Sequence, residues 1–277
     1  MGISYEVPIL FFFVLYILFF MNLKYALFCF FWGCSVVSLA QNPVIAHRGA
    51  WKTNNLPQNS IAALRQAISL GCAGSEFDIR ITLDDSLVIV HDPTHAGLII
   101  EKTLYQDLLP HKLSNGETIP TLREYLQAGL ANNSTTKLVL EIKPTSPSRE
   151  RGLVVANQTV ALVNRMNAQD QVVYISFDYQ ILLQVLRQAP QAKVYYLEGN
   201  RSPQELVADG ITGLNYHFSV FQKKPEWISQ AKQYGIELLS WTVNDPMIME
   251  TMLQNKFEFI TTDEPERLLD LIQSKSH

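Results

Sequence analysis

The sequence predicts a (β/α)8 TIM barrel, an α/β fold, from three observations. Short runs rich in β-branched and aromatic residues alternate with amphipathic helical stretches along residues 41–277. Eight such β-rich runs occur, and the length of the region suits a fold of typically about 250 residues. Several runs end in charged or imidazole side chains, and barrel enzymes build their sites at those ends. An open, doubly wound sheet is the alternative architecture.

The predicted elements follow one another as β-rich and helical runs. Strands are predicted at PVIAH, GSEFDI, KLVLEI, VVYISF, KVYYL, GLNY, ELLSWTV and FEFITT. Helices are predicted at SIAALRQAISLG, TLREYLQAGL, RGLVVANQTVALVNRM, YQILLQVLRQA, EWISQAKQYG and PMIMETMLQN, where apolar residues recur at helical spacing. Asn59 and Ser60 are interpreted as the cap of the first helix.

The run SLVIVHD, which ends at Asp92, requires a different connection. Only a few residues, Leu83, Asp84 and Asp85 among them, separate it from the second strand. A crossover helix between parallel strands needs a dozen or more residues, so the run is predicted to fold back as a hairpin. The expected result is a small hairpin insertion after the second strand, at the mouth of the barrel.

Residues 1–40 are predicted to be a signal peptide. The segment MNLKYALFCFFWGCSVVSLAQ, starting at Met21, has a basic start, an apolar centre and small residues at Ser38 and Ala40. We expect translation from Met21, cleavage before Gln41, and export to the periplasm or the medium without stable membrane insertion. The alternative is an uncleaved anchor, because the two apolar runs together could span a bilayer that requires about 20 apolar residues.

Composition indicates an ordinary folded protein. The chain has 277 residues, of which 47% are hydrophobic and 17% are charged. Its net charge of −4 and the lack of a basic patch argue against nucleic-acid binding. Cys72 is the one cysteine after the leader, so it is interpreted as a small buried residue rather than as part of a disulfide.

Charged residues and histidines lie where the predicted strands end. Side chains alternate between the two faces of a strand, so Glu76 and Asp78 share one face, and Glu141 shares a face with Lys143. His47 and Arg48 end the first strand, and the hairpin run ends in His91 and Asp92. Each residue alone fits a turn, a cap or a solvated strand end, and Asp92 before Pro93 is interpreted as a turn residue. Together they predict a site at one rim of the barrel.

The motifs, in order, resemble those of the glycerophosphodiester phosphodiesterase family. They are HRG, PQNSIAAL, EFD, TLDDSLVIVHD, IPTLREYL, EIK, SF, WTVN and TTDEP, and they extend over essentially the whole chain after the leader. The resemblance implies a (β/α)8 barrel that hydrolyses a phosphodiester to an alcohol and a phosphomonoester.

The resemblance also implies roles for seven residues. The metal ligands would be Glu76, Asp78 and Glu141, the acid/base pair His47 and His91, and the phosphate-binding residues Arg48 and Lys143. An all-oxygen set of ligands suits Ca²⁺ or Mg²⁺ rather than zinc. The Arg guanidinium can hold two phosphate oxygens, and histidine can give or take a proton near neutral pH.

Two departures from the family pattern affect these expectations. Many members have a glutamate where this chain has Gln58, and the family's Arg-Thr-Thr stretch after VHDPT is replaced by HAGLIIEKTLYQDLLPHKLSNGETIPTL. That segment is predicted to shape the pocket for the alcohol. The alternatives are a metal-independent lyase similar to bacterial phosphatidylinositol phospholipase C, and a non-catalytic barrel that binds a phosphorylated ligand. Activity in the presence of a chelator separates the first from a metal-dependent hydrolase.

Overall fold

The computed structural model describes residues 42–146 and 148–274. The predicted signal peptide lies outside the described residues, so its cleavage stays a prediction. Among the helices formed by the described ranges, none is both long enough and apolar enough to cross a membrane.

The described residues form eleven strands. They are β1 Val44–Ala46, β2 Gly74–Ile81, β3 Leu87–Ile89, β4 Thr94–His95, β5 Leu98–Ile99, β6 Lys137–Ile142, β7 Val172–Ser176, β8 Val194–Tyr196, β9 Gly213–His217, β10 Glu237–Trp241 and β11 Phe259–Thr262. Eight of them, β1, β2 and β6 to β11, are parallel to their neighbours, and β1 pairs with both β2 and β11. This pairing closes the sheet, so the predicted (β/α)8 barrel is confirmed.

Helices surround the barrel and connect its strands. They are α1 Ile61–Ser69, α2 Tyr105–Leu108, α3 Leu122–Leu130, α4 Arg149–Arg165, α5 Tyr179–Gln188, α6 Pro203–Ala208, α7 Phe218–Lys223, α8 Glu226–Tyr234, α9 Pro246–Gln254 and α10 Pro265–Ser274. The six predicted helices correspond to α1, α3, α4, α5, α8 and α9. Three of the others, α2, α6 and α7, have six residues or fewer, too few for a hydrophobic period to show.

Local sequence signals set where the helices begin. The Ser60 side chain accepts a hydrogen bond from Ala63 N at 3.0 Å and caps α1. Thr121 and Glu124 form a capping box at the start of α3, in which each side chain satisfies a backbone N–H of the other residue. Both helices therefore begin where a side chain supplies a hydrogen bond that the first helical turn lacks.

Two apolar layers support the site. Outward-facing strand residues such as Phe77 and Ile79 are fully buried against the surrounding helices. Inward-facing residues, among them Ile45, Val139 and Ile175, form a smaller cluster inside the barrel. Polar inward-facing side chains follow this cluster toward the carboxyl ends of the strands, so the inner apolar cluster is the floor beneath them.

The insertion between β2 and α3 begins as the predicted hairpin. β3 runs antiparallel to β2, with Arg80 opposite Val88, so the hairpin is confirmed. The pair β4–β5 and a short 3₁₀ helix, Ile100–Lys102, were not predicted. The Glu101 carboxylate accepts hydrogen bonds from Ser146 N at 3.1 and 3.2 Å, which fixes the insertion to the loop after β6.

The far end of the insertion is fixed to the first helix. The Glu117 carboxylate accepts hydrogen bonds from Ile61 N at 2.9 Å and Ala62 N at 3.2 Å. These are two of the backbone donors that the first turn of a helix leaves unpaired, and a carboxylate is favoured at that end of the helix dipole. The insertion is therefore held to the barrel at two points, Glu101 and Glu117.

Candidate active site

Three carboxylates meet inside the carboxyl-terminal end of the barrel. Glu76 and Asp78 point inward from β2, and Glu141 points inward from β6, where it is the register partner of Asp78. Their relative exposures are 3%, 1% and 6%, and one oxygen from each lies within 4.8 Å of the others. The parallel pairing of β2 with β6 therefore brings together the acidic residues that the sequence indicated.

A backbone N–H group and two side-chain cations lie against this acidic cluster. Lys143 Nζ lies 2.8 Å from both Asp78 Oδ1 and Glu141 Oε1. Arg48 N donates to Glu76 Oε2 at 2.9 Å, and Arg48 Nε is 3.8 Å from Asp78 Oδ2. Lys143 is thus bound to the carboxylates in this structure, and its predicted contact with phosphate stays a prediction.

The turn after β1 places the Arg48 backbone N–H against the cluster. Arg48 has a φ of 57°, in the left-handed region that side chains rarely adopt, and Gly49 follows with a φ of 83°. A Cβ at Gly49 would lie 2.6 Å from the Ala63 Cβ, so only glycine fits between this turn and α1. The HRG sequence is therefore a structural requirement as well as a source of charged groups.

Burial and like charge raise the pKa of two members of the cluster. Burial is the largest cause for both. It raises the pKa of Glu141 to about 7, with the charge of Asp78 adding to it, and raises that of Glu76 well above its usual range. For Asp78 burial acts in the same direction, but the charges of Lys143 and His91 and the hydrogen bonds from Lys143 and Asn59 together outweigh it and lower the pKa. The described cations thus leave negative charge uncompensated, and a buried set of oxygen ligands fits a hard divalent cation.

His47 is held by a chain of hydrogen bonds that begins at the last strand. Its Nδ1 lies 2.7 Å from Asp263 Oδ1, and Asn244 Nδ2 donates to Asp263 Oδ2 at 2.8 Å. Asn244 Oδ1 in turn accepts from Asp263 N at 2.9 Å. With Nδ1 engaged by a carboxylate, the ring orientation is fixed and Nε2 is left for a proton transfer.

His91 is held in a similar way by the hairpin. Its Nδ1 lies 2.8 Å from Asp92 Oδ1, and its carbonyl accepts a hydrogen bond from Arg80 Nε at 2.9 Å. Burial is the main cause that lowers the pKa of His91, although the charge of Asp78 acts in the opposite direction. Asp92, which we interpreted as a turn residue, therefore also contacts the predicted acid/base group.

Asn59 was wrongly interpreted as part of the cap of the first helix. Ser60 alone caps α1, whereas Asn59 Nδ2 donates to Asp78 Oδ2 at 2.8 Å and Asp78 N donates to Asn59 Oδ1 at 3.2 Å. The left-handed backbone at Asn59, with a φ of 60°, directs the amide into the barrel. Gln58 Oε1 accepts from Arg48 Nη1 at 2.7 Å, so two residues of the PQNS motif, Gln58 and Asn59, support the site.

A cavity of about 130 Å³ joins these groups at the barrel mouth. Six of the seven predicted site residues line it, namely His47, Arg48, Glu76, His91, Glu141 and Lys143. The seventh, Asp78, is buried and bonded to Lys143 and Asn59. The structure thus brings the predicted residues together in one place.

The opposite wall of the cavity is apolar and was not predicted as part of the site. It includes Ile175, Phe177, Leu197 and Trp241. The rings of Phe177 and Trp241 meet edge to face with centroids 5.4 Å apart. Phe177 and Trp241 occur in the SF and WTVN motifs, so the available signal was their position at strand ends.

Comparisons with known proteins agree with this geometry. Residues 47–267 match the Glycerophosphoryl diester phosphodiesterase family. The chain is 30% identical over 247 residues to a glycerophosphodiester phosphodiesterase of Caldanaerobacter subterraneus subsp. tengcongensis, an alignment that covers 83% of this chain and 97% of that protein. It is 27% identical to glycerophosphodiester phosphodiesterase 1 of Bos taurus, over 72% of this chain and 71% of that protein.

The fold is also similar to a solved structure with a related sequence. The crystal structure of a glycerophosphodiester phosphodiesterase from Parabacteroides distasonis is 39% identical in sequence, with a TM-score of 0.82 over 86% of this chain and 99% of that one. The motif resemblance, the family match and the barrel are thus in agreement. The chain belongs to the glycerophosphoryl diester phosphodiesterase family and is a phosphoric diester hydrolase.

Proposed function

We propose that the protein hydrolyses glycerophosphodiesters to an alcohol and glycerol phosphate in a reaction that depends on Ca²⁺ or Mg²⁺. The observation that carries the proposal is the buried cluster of Glu76, Asp78 and Glu141 within 4.8 Å, in a cavity that also holds two histidines. These carboxylates would hold the cation. When bound, it would neutralise negative charge that develops on a phosphate oxygen.

Arg48 and Lys143 supply the positive charge for the substrate phosphate. The Arg48 guanidinium is held by Gln58 at 2.7 Å, and the neutral amide leaves its charge available to the phosphate. Lys143 Nζ, which contacts Asp78 and Glu141 in this structure, would supply a second positive charge beside a phosphate oxygen.

The two histidines divide the proton transfers. One imidazole takes a proton from the attacking water as the water oxygen bonds to phosphorus. The other gives a proton to the oxygen of the departing alcohol, so that the P–O bond breaks without releasing an alkoxide. The contact of His47 Nδ1 with the Asp263 carboxylate fixes the ring and leaves Nε2 for the proton of the nucleophile, so we assign His47 as the base. We assign His91, on the hairpin arm, as the acid.

A metal-independent lyase is the second candidate that the sequence raised. It needs the barrel and the histidines, but it gives no reason to bury three carboxylates within 4.8 Å of one another. Burying like charges without a compensating cation costs free energy, so the cluster favours the metal-dependent hydrolase.

We also propose that the predicted leader exports the protein to the periplasm or the medium. The support is the sequence from Met21 to Ala40, with its basic start, apolar centre and small residues before Gln41. Mass spectrometry of the protein made in its own cells should find an N-terminus at Gln41. An intact membrane-bound chain that retains residues 25–40 would contradict export by cleavage.

The proposed activity is tested with purified residues 41–277 and a panel of glycerophosphodiesters. We expect release of a free alcohol and of glycerol phosphate in equal amounts, with Ca²⁺ or Mg²⁺ present. Formation of a stable cyclic phosphate as the end product would favour the lyase, and no turnover of any diester would contradict the proposal.

A further inference from the structure

One polar side chain in the apolar half of the cavity has no partner for its oxygen. Asn215 lies in β9 and is 1% exposed, yet within the described residues no donor bonds its Oδ1. Leaving a buried acceptor unpaired costs about 1–3 kcal/mol, so a buried acceptor without a partner in the chain requires an explanation, and a donor from a bound molecule is one. Asn215 also lines the active-site cavity, which is where that partner can reach it.

The strand geometry directs this amide toward the cavity. Neighbouring residues Leu214 and Tyr216 are fully buried against the helices on the outside of the barrel. Since side chains alternate along a strand, Asn215 must point inward. Its backbone carbonyl is already used, because it accepts a hydrogen bond from Trp241 Nε1 at 2.8 Å, which holds the indole beside the amide.

The groups around Asn215 differ from those that bind charge. Leu197, Phe177 and Trp241 line the same part of the cavity, and the acidic cluster and the predicted phosphate-binding residues lie on the other strands. A ligand fragment suited to this wall has carbon atoms that pack on apolar side chains and a hydroxyl group that donates to one acceptor. The glycerol part of a glycerophosphodiester has both.

We propose that Asn215 binds a hydroxyl group of the substrate's glycerol and makes the site selective for glycerol esters. The inference rests on the proposed function, because that function supplies the glycerol. When the phosphate is bound at Arg48, the three-carbon chain extends along the apolar wall. A hydroxyl group of that chain then donates a hydrogen bond to Asn215 Oδ1. A site that is built to bond a hydroxyl discriminates strongly against an analogue that lacks it, because its own polar group is then left unpaired.

Direct binding tests the proposal separately from catalysis. Calorimetry in the presence of Ca²⁺ would compare glycerol 3-phosphate with the phosphates of 1,3-propanediol and 1,2-propanediol, each of which lacks one hydroxyl. We expect the affinity of the wild-type protein for one of these analogues to be at least about tenfold lower than for glycerol 3-phosphate. In Asn215→Leu, which keeps the side-chain size without the polar atoms, that difference should fall below about threefold.

Matched variants separate a binding role from a structural one. Thr242→Val also removes a polar group that lines the cavity, and it should keep the wild-type preference for glycerol 3-phosphate. If Asn215→Leu does not fold, Asn215→Ala should show the same loss of preference. A variant at Asn215 that folds and still prefers glycerol 3-phosphate by the wild-type factor would overturn the proposal, as would a wild-type protein that binds all three phosphates equally.

These results also separate the failure of the inference from that of the proposed function. A wild-type protein that hydrolyses glycerophosphodiesters but shows no dependence on Asn215 contradicts the inference alone. A wild-type protein that turns over no diester contradicts the proposed function, whatever its preference among the phosphates.

Discussion

The two halves of the barrel mouth differ in how their side chains are held. On the half formed by β1, β2 and β6, charged groups contact one another directly, as Lys143 does with Asp78 and Glu141 at 2.8 Å. On the half formed by β7 to β10, Phe177 and Trp241 pack edge to face. There Asn215, the one buried side-chain amide of this half among the described residues, lacks a partner for its oxygen. We refer to these as the charged half and the aromatic half.

The difference indicates that the two halves contact different parts of one substrate. Among the predicted site residues, every group that can bind a cation, hold a phosphate or transfer a proton lies in the charged half. The aromatic half offers packing surface and an unpaired hydrogen-bond acceptor, Asn215 Oδ1, which suits the carbon chain and a hydroxyl group of the substrate. Changes in the charged half should therefore affect the chemical step, and changes in the aromatic half should affect which ester binds.

Loss of either histidine is the largest effect that we expect. His47→Ala and His91→Ala should each lower kcat on a natural diester by about 10²- to 10⁴-fold. On a p-nitrophenyl phosphodiester, whose leaving group needs no proton, the variant that lacks the acid should recover much of its rate, and we expect this for His91→Ala. His111→Ala, in the same insertion, is the control for loss of an imidazole. Equal losses for both variants on both substrates would contradict the division into acid and base.

Removal of one carboxylate should weaken cation binding with little change in shape. Glu141→Gln should lower the affinity for Ca²⁺ or Mg²⁺ by about 10- to 100-fold, measured by calorimetry, because one of three buried negative charges is lost. Asp107→Asn removes one exposed carboxylate from the insertion and should leave the affinity unchanged. An unchanged affinity in Glu141→Gln would mean that the cation binds elsewhere.

Changes in the aromatic half should be smaller and should act on binding. Trp241→Phe removes the indole that contacts Phe177 and donates to the Asn215 carbonyl. We expect KM for a glycerophosphodiester to rise about 2- to 10-fold with kcat nearly retained, as suits the loss of one aromatic contact. Trp227→Phe, in the helical layer, should leave KM unchanged. A loss in kcat instead of KM would remove the distinction between the halves.

The smallest effect concerns the pH dependence of stability at Asp263. Burial acts to raise the pKa of Asp263, but the hydrogen bond and the charge of His47, the hydrogen bond from Asn244 and the charge of Arg48 together outweigh it and lower that pKa below its ordinary value of 3.8. The pair therefore stabilises the fold fully above that ordinary value and loses this contribution as the pH falls through the lowered pKa. Asp263→Asn should be less stable than the wild type by about 1 kcal/mol near pH 6.

Urea unfolding at several pH values checks this effect. The difference in free energy of unfolding between wild type and Asp263→Asn should shrink as the pH falls from about 5 to about 3. A difference that stays constant over that range would show that Asp263 and His47 are not coupled in the folded protein.

The sequence predicted the charged half well, for a physical reason. Alternation along a strand is a local property, so Glu76 and Asp78 could be placed on one face, and the parallel barrel then brought Glu141 beside them. The left-handed turn at Arg48 and the packing of Gly49 on Ala63 could not be predicted from spacing, because they depend on how closely α1 approaches β1.

The groups that the sequence analysis missed act through tertiary contacts. Asn59 precedes a helix and has the residue type of a cap, but the position of β2 offered its amide a buried carboxylate instead. Asp263 and Asn244 occur in quoted motifs, yet the bond of Asp263 to His47 requires β1 and β11 to be neighbours. The bonds between Asn244 and Asp263 likewise require β10 and β11 to be neighbours. Asn215 lies in the predicted strand GLNY, which contains no recognisable site motif. It is proposed to bind the substrate because its side-chain oxygen is buried without a partner.

Restoration of activity by a divalent cation is the most direct test of the central claim, that the charged half holds a cation that the reaction requires. Purified residues 41–277 would be depleted with a chelator and then titrated with Ca²⁺ or Mg²⁺ while alcohol release from glycerophosphoethanolamine is followed. We predict that activity is lost on depletion, returns with saturable dependence on the cation, and needs a higher concentration in Glu141→Gln. Full activity in excess chelator would contradict the account.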